Sequence, residues 1–184
     1  SITNQTITFL PGENTQQLTI SSLDDTIYEQ DELFTLNGTI TSKATINQQV
    51  SAVGTIIDND EKPSITMNNS KENEGEDLIH TITLSHPSST PIEIEIATSD
   101  DLAINPDDYL AVTSILTING TTDTTLANTE ISFKIPTIID NLKETAEETL
   151  NVVGVVTSGN VGLEDLTKTG TIVDIDPYPT IVIN

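Results

Sequence analysis

The stretch "PIEIEIAT", residues 91–98, alternates without a break. It would place Ile92, Ile94 and Ile96 on one side and Glu93 and Glu95 on the other. A period of two suits a β-strand with one face buried and not an α-helix. "EISFKI" repeats the pattern with Ile131, Phe133 and Ile135, and further strand candidates lie at 64–68, 78–85, 112–118, 149–156 and 168–174. About seven strands in roughly the ~100 residues of an immunoglobulin-like domain imply an antiparallel sandwich. "HPSST", "NPDD", "NGTTD" and "SGN" supply the turns. One segment resists this pattern. "LKETAEETL", 142–150, has the composition of a helix, but it is short and is read as loop with at most one helical turn. Phe9, Phe34 and Phe133 read as core.

Composition agrees with an all-β chain. Aromatic residues are only 3% of the 184, and there is no Trp, so Ile, Val, Leu and Thr must build the core. The formal net charge of −23, from 29 acidic and 6 basic residues, argues against a nucleic-acid partner and against an acidic membrane surface. It also strains the compact state by self-repulsion, which a bound divalent cation would relieve. The absence of cysteine excludes disulfides and thiolate metal sites. No run approaches the ~20 apolar residues of a membrane helix, so membrane insertion is not expected of this segment.

Moving outward from the alternating strands, the chain repeats itself. "GTIIDNDEKP" at 54–63 returns as "GTIVDIDPYP" at 170–179, and the same offset of 116 residues relates Asp24 to Asp140, Glu32 to Glu148, Pro63 to Pro179 and Asn68 to Asn184. The expected organisation is therefore the C-terminal half of one repeat (1–60), a complete repeat (61–176) and the first strand of a third (177–184), a window on a tandem array. Short proline-bearing linkers, "EKP" and "PYP", predict modules set end to end, with the neighbouring repeats as their partners.

Acidic residues cluster at the predicted strand ends, in segments 24–32, 58–60, 71–77, 98–109, 140–148 and 174–176. A sandwich gathers its loops at two ends, so carboxylates distant in sequence can meet at one pole. Calcium takes about 6–8 oxygen ligands, and the lack of thiolates or paired histidines favours this hard cation over zinc. No EF-hand loop is present. The competing reading is a solvated acidic surface, and the recurrence of the acidic positions favours the metal.

These residues resemble a known family. "FLPGENTQQLTISSLDDTIYEQDELFTLNGTI" running to "GTIIDND" is similar to the Calx-beta repeat, with a strand into P-G-E, a strand into a D-D pair, Tyr28 followed by E-x-D-E, and a closing strand into D-x-D. "NEGE" at 73–76 and "ATSDD" with "NPDDY" show the family's opening in the second copy. The resemblance implies a seven-stranded sandwich that binds Ca2+ at one pole, next to the following domain. Carried over by position, it implies ligands Asp24, Asp25, Glu29, Glu32, Asp58 and Asp60 in the first copy. In the second it implies Asp140, Glu148, Asp174 and Asp176, with Glu74 or Glu72 and Asp100 or Asp101. Asn141 replaces the second aspartate of the pair and Thr145 stands where Glu29 stands, with Glu144 adjacent, so the second site is expected to hold fewer ions or bind more weakly.

The resemblance points to a calcium-rigidified stalk segment of a large bacterial cell-surface adhesin, including those of gliding motility. The protein would then be extracellular, with the adhesive target carried by other domains. The alternative is a calcium-sensing regulatory module. An enzyme is not expected: His80 and His86 have no nucleophile motif beside them, and Tyr28, Tyr109 and Tyr178 are too scattered for a sugar platform.

Overall fold

The computed structural model describes residues 5–41, 49–126 and 128–183, and among them there is no helix. The chain divides into two compact units, Ser1–Asp25 with Glu32–Ile56, and Thr26–Asp31 with Ile57–Asn184.

The smaller unit contains one antiparallel hairpin, β1 (Glu32–Thr39) with β2 (Gln49–Ile56). The strands expected to lead into Pro11–Gly12–Glu13 and into Asp24–Asp25 are not formed: residues 5–26 pair with no strand among the described residues. Phe9, expected in a core, is exposed.

The larger unit is the sandwich that the alternation predicts. Its strands are β3 (Ile65–Met67), β4 (Ser70–Asn73), β5 (Leu78–Leu84), β6 (Ile92–Asp100) and β7 (Thr113–Ile118). They continue with β8 (Glu130–Ile135), β9 (Glu147–Ser158), β10 (Glu164–Asp165) and β11 (Thr167–Val173). One sheet has the order β10-β3-β5-β8 and the other β4-β11-β9-β6-β7. Ile92, Ile94 and Ile96 are fully buried, and they join Leu78, Ile82, Ile135, Leu150 and Val152 in one core between the sheets. Glu93 and Glu95 face outward.

Three features refine or depart from the expectation read in the sequence. The opening strand is split: β3 lies in one sheet and β4 in the other. At the crossing, side chains replace ladder partners. Asn68 Oδ1 accepts the Thr81 N–H (2.5 Å), and Asn69 Oδ1 accepts the Thr169 N–H (3.0 Å). The backbone can thus change sheets without leaving those donors unpaired. The segment 142–150 has no helical turn; it is irregular until β9 begins at Glu147. Residues 177–183, read as the start of a third repeat, form no strand and are largely exposed, and Asn184 lies outside the described residues.

The repeat seen in the sequence is also a repeat of register. Glu32 faces Ile56 and Glu148 faces Ile172; Phe34 faces Gly54 and Leu150 faces Gly170; Asn37 faces Ser51 and Val153 faces Thr167. Each pair is displaced by 116 residues, so β1–β2 and β9–β11 are the same hairpin.

His80 is buried in the core, stacked on Phe133 with ring centroids 5.5 Å apart. Its Nδ1 lies 2.9 Å from the Asn68 carbonyl. A carbonyl can only accept, so Nδ1 carries the proton, and the buried Nε2 has no hydrogen-bond partner among the described residues. Burial holds the imidazole below its ordinary value of 6.5. On acidification the unfolded chain therefore takes the proton first. The stability is present above 6.5 and is lost as pH falls through the lower folded value. Melting curves of the parent and of His80→Phe should show the variant gaining relative to the parent as pH drops from about 7 to 5; a constant difference would remove His80 from this account.

Candidate metal centre

In each repeat a D-x-D follows the last strand, and both motifs make the same turn. Asp58 Oδ1 accepts the Asp60 N–H (3.3 Å) and Asp174 Oδ1 accepts the Asp176 N–H (2.8 Å). The second oxygen of each reaches back to the preceding acidic loop. Asp58 Oδ2 accepts the Glu29 N–H (2.9 Å), and Asp174 Oδ2 accepts the Glu144 N–H (3.0 Å). An aspartate between two backbone donors has little rotational freedom, which fixes where the rest of the acidic loop can go.

In the complete repeat, Glu74, Asp108, Asp140, Glu144, Glu148 and Asp174 line one cleft at the pole, floored by Ile138 and Ile172. Carboxylate oxygens of Glu74, Asp140 and Asp176 lie within 4.8 Å of one another, and so do those of Asp108, Glu144 and Glu148. Each member is delivered by a specific local structure. Gly75, at φ +80°, turns the chain directly after Glu74, and a Cβ there would meet Ile139 Cβ at 3.0 Å. Glu74 is buried, and its Oε1 accepts the Ile175 N–H (3.2 Å). Tyr109 is fully buried, and its hydroxyl donates to Asp100 Oδ1 (2.6 Å). With Tyr109 plugged into the core, the Asp108 carbonyl takes the Ile138 N–H (2.8 Å), which ties Asp108 to the segment leading to Asp140. Asp140 Oδ1 in turn accepts the Leu142 N–H (2.6 Å).

The cleft is electrostatically incomplete. Burial, followed by the charges of Asp108 and Glu144, pushes Glu148 up to about 7. Burial and the charges of Asp108 and Asp140 also raise Glu144. Lys143 donates to Asp174, and this contact is the first cause of a raised lysine and a lowered aspartate. Asp176 Oδ2 is buried with no hydrogen-bond partner among the described residues. An orphaned buried carboxylate oxygen within one of two carboxylate triads fits a hard cation, since the donors are all oxygen.

The structure sorts the expected ligands. In the second copy Asp140, Glu148, Asp174 and Asp176 converge, and of the two alternatives it is Glu74 that joins them. Glu72 lies on β4 opposite Ile172, outside the cleft lining. Asp100 is engaged by Tyr109 and by the Asn105 N–H (3.0 Å), and Asp101 accepts the Thr149 hydroxyl (2.5 Å). Neither lines the cleft, because the loop after β6 carries the chain past them to Asp108. Asp108 and Glu144 are the added members; the D-D-Y triplet with its buriable Tyr109, and the acidic residue beside Thr145, were the available signals. The first-copy residues fall in different units: Asp24, Asp25 and Glu32 in the smaller, Glu29, Asp58 and Asp60 in the larger.

Fold and site together define a β-sandwich module with a carboxylate-lined pole. The chain belongs to the Calx-beta domain family, which it matches over residues 2–62 and 58–175. Among solved structures it is similar to CBD12 from CALX1.2, at 20% identity and a TM-score of 0.54, covering 61% of this chain and 46% of that one. It is likewise similar to the calcium binding domain CBD12 of CALX1.1, at 20% identity, a TM-score of 0.50 and coverages of 61% and 46%. The chain thus spans a little under half the length of these two structures, and at this identity the likeness establishes the fold alone. No curated protein matches the sequence.

Glu148 carries a pH signature opposite to that of His80. Its folded value of about 7 lies above the ordinary 4.5, so its contribution to stability is present below about 4.5 and is lost as pH rises through about 7. In chelator, the difference in melting temperature between the parent and Glu148→Gln should shift in favour of the variant between pH 5 and 8. If the two melting temperatures stay parallel across that interval, Glu148 is not held protonated by the cleft.

Proposed function

We propose that this chain is a calcium-stiffened spacer, a stalk segment of a bacterial cell-surface adhesin whose adhesive contact lies in other domains. The observation that carries the calcium reading is the buried, unpartnered Oδ2 of Asp176, a member of one of the two carboxylate triads. Glu74, Asp140 and Asp176 would hold one cation, and Asp108, Glu144 and Glu148 a second. The ions would supply charge neutralisation. The chain's own groups do the rest: Tyr109 and the Asp174 turn hold the carboxylates in place, and Ile138 and Ile172 keep the floor of the cleft apolar.

The spacer reading draws on where the cleft sits. Asp174 and Asp176 follow the last strand and lead directly into Pro177 and Pro179. A cation held there ties the acidic loop 140–148 to the beginning of the linker and limits bending of the backbone that follows. The net charge of −23 gives the same ions a second role, since each one lowers self-repulsion in a chain with few basic residues. Outside the cell, abundant calcium would keep such sites occupied, whereas a sensor must empty and refill.

Calorimetric titration of the chain with Ca2+, alongside melting in calcium and in chelator, tests this reading. Binding to the folded state alone stabilises by about 2.7 kcal/mol per site at a free concentration 100-fold above Kd. Asp176→Asn should weaken binding at least tenfold while leaving the chelator melting temperature unchanged or raised, because it removes a buried charge. No heat and no stabilisation in millimolar calcium would defeat the calcium reading, and a large conformational change confined to micromolar calcium would favour the sensor over the spacer.

A further inference from the structure

The segment Thr26–Asp31 belongs by its place in the repeat to the first copy, yet it packs within the compact unit of the second. Ile27 is 1% exposed, in contrast to the exposed Asp24, Asp25 and Thr26 before it. Tyr28 makes a two-sided backbone bridge beside Ser88: its N–H donates to the Pro87 carbonyl (3.1 Å), and its carbonyl accepts the Ser89 N–H (2.9 Å). The receiving loop is itself braced. Ser88 is buried, its carbonyl takes the Thr121 N–H (2.9 Å), and a Cβ on Gly120 would stand 2.2 Å from the Ser89 oxygen, so only glycine lets the two strands of loop approach.

A second contact lies on the linker. His86 Nε2 is 2.5 Å from the Glu61 carbonyl. Because that oxygen only accepts, Nε2 carries the proton, and in the neutral ring Nδ1 accepts from the Ser85 hydroxyl (2.9 Å). Ser85 Oγ in turn accepts the Ser64 N–H (3.0 Å). The linker and the acidic loop are further joined by the Asp58 N–H donating to Asp31 Oδ1 (3.1 Å).

We propose that Ile27–Tyr28 is a clasp that fastens the acidic loop of one repeat to the next without a metal ion, and that the loop Ser85–Thr90 is the surface that receives it. The partner this surface fits is an extended aliphatic–aromatic pair from a preceding module, gripped through its backbone as an added strand. Glu144 takes the place of Glu29 at the aspartate turn of the second repeat, so Leu142 and Lys143 stand where Ile27 and Tyr28 do, and Leu142 is exposed. Lys143 turns to Asp174 of its own repeat and lies 5.4 Å from the ring centre of Tyr178, and Glu144 lines the cleft. The acidic loop of the second repeat is thus engaged at its own pole.

Hydrogen exchange on the full chain in chelator tests the clasp independently of the calcium reading. The amides of Tyr28 and Ser89 should exchange at least tenfold more slowly than those of exposed loop residues. Ile27→Asp should speed both at least tenfold while the amides of β6 and β9 keep their protection. Should Ile27→Asp disturb those core amides as well, Tyr28→Pro decides the matter, since it deletes one N–H and leaves Ile27 in place; the Ser89 amide should still lose its protection. The proposal is overturned if Ser89 exchanges at the unstructured rate in chelator and slows only when calcium is added, or if neither substitution changes its exchange. A failed calcium titration with a protected Ser89 would instead sink the calcium reading and leave the clasp standing.

Discussion

Like charges held together by a covalent frame dominate this molecule. Glu148 is fixed to β9 opposite Ile172, and Asp174 follows the last residue of β11 directly. Neither can retreat without unpairing a strand whose inner face is in the core. Repulsion at the pole is therefore not relaxed by movement. Burial, reinforced by this repulsion, raises the Glu148 carboxyl; Asp174 recruits Lys143, and an oxygen of Asp176 has no partner among the described residues. The apolar packing of Leu150, Val152 and Ile172 a few residues away is what keeps such an arrangement in place.

The internal repeat shows which parts of that arrangement are structural and which are adjustable. Strand register and the D-x-D turn persist across 116 residues, even where the side chains differ. The acidic loop before the hairpin varies. Glu29 gives its N–H to Asp58, whereas the equivalent bond to Asp174 comes from Glu144, one position earlier than the offset implies. A loop can lose or move one residue and still meet the same carboxylate, because the aspartate turn, anchored in the sheet, sets the target.

Much of this was legible in advance because alternation over β5, β6 and β8 encodes burial directly: every second residue either reaches the core or does not. The acidic pole was legible for a different reason, the recurrence of its aspartates at a constant offset. What escaped was whatever depended on depth. Asp100, Asp101 and Asp108 are indistinguishable as letters, and Tyr109, by plugging into the core, decides that Asp108 and not the other two faces the cleft. Ile27–Tyr28 looked like part of a metal-binding loop, and nothing local marked its packing with residues sixty positions later. The change of sheet at Asn68–Asn69 was likewise invisible, since two asparagines ordinarily read as a turn.

That change of sheet has a mechanical corollary. It leaves β4, near the entry of the repeat, hydrogen-bonded in parallel to β11, its last strand, with Ser70 beside Gly170 and Asn73 beside Val173. Tension drawing the two ends of the module apart pulls these neighbours in opposite directions along a shared axis. Their bonds are then loaded in shear and must rupture together, whereas an antiparallel pair gripped at one end would peel open rung by rung.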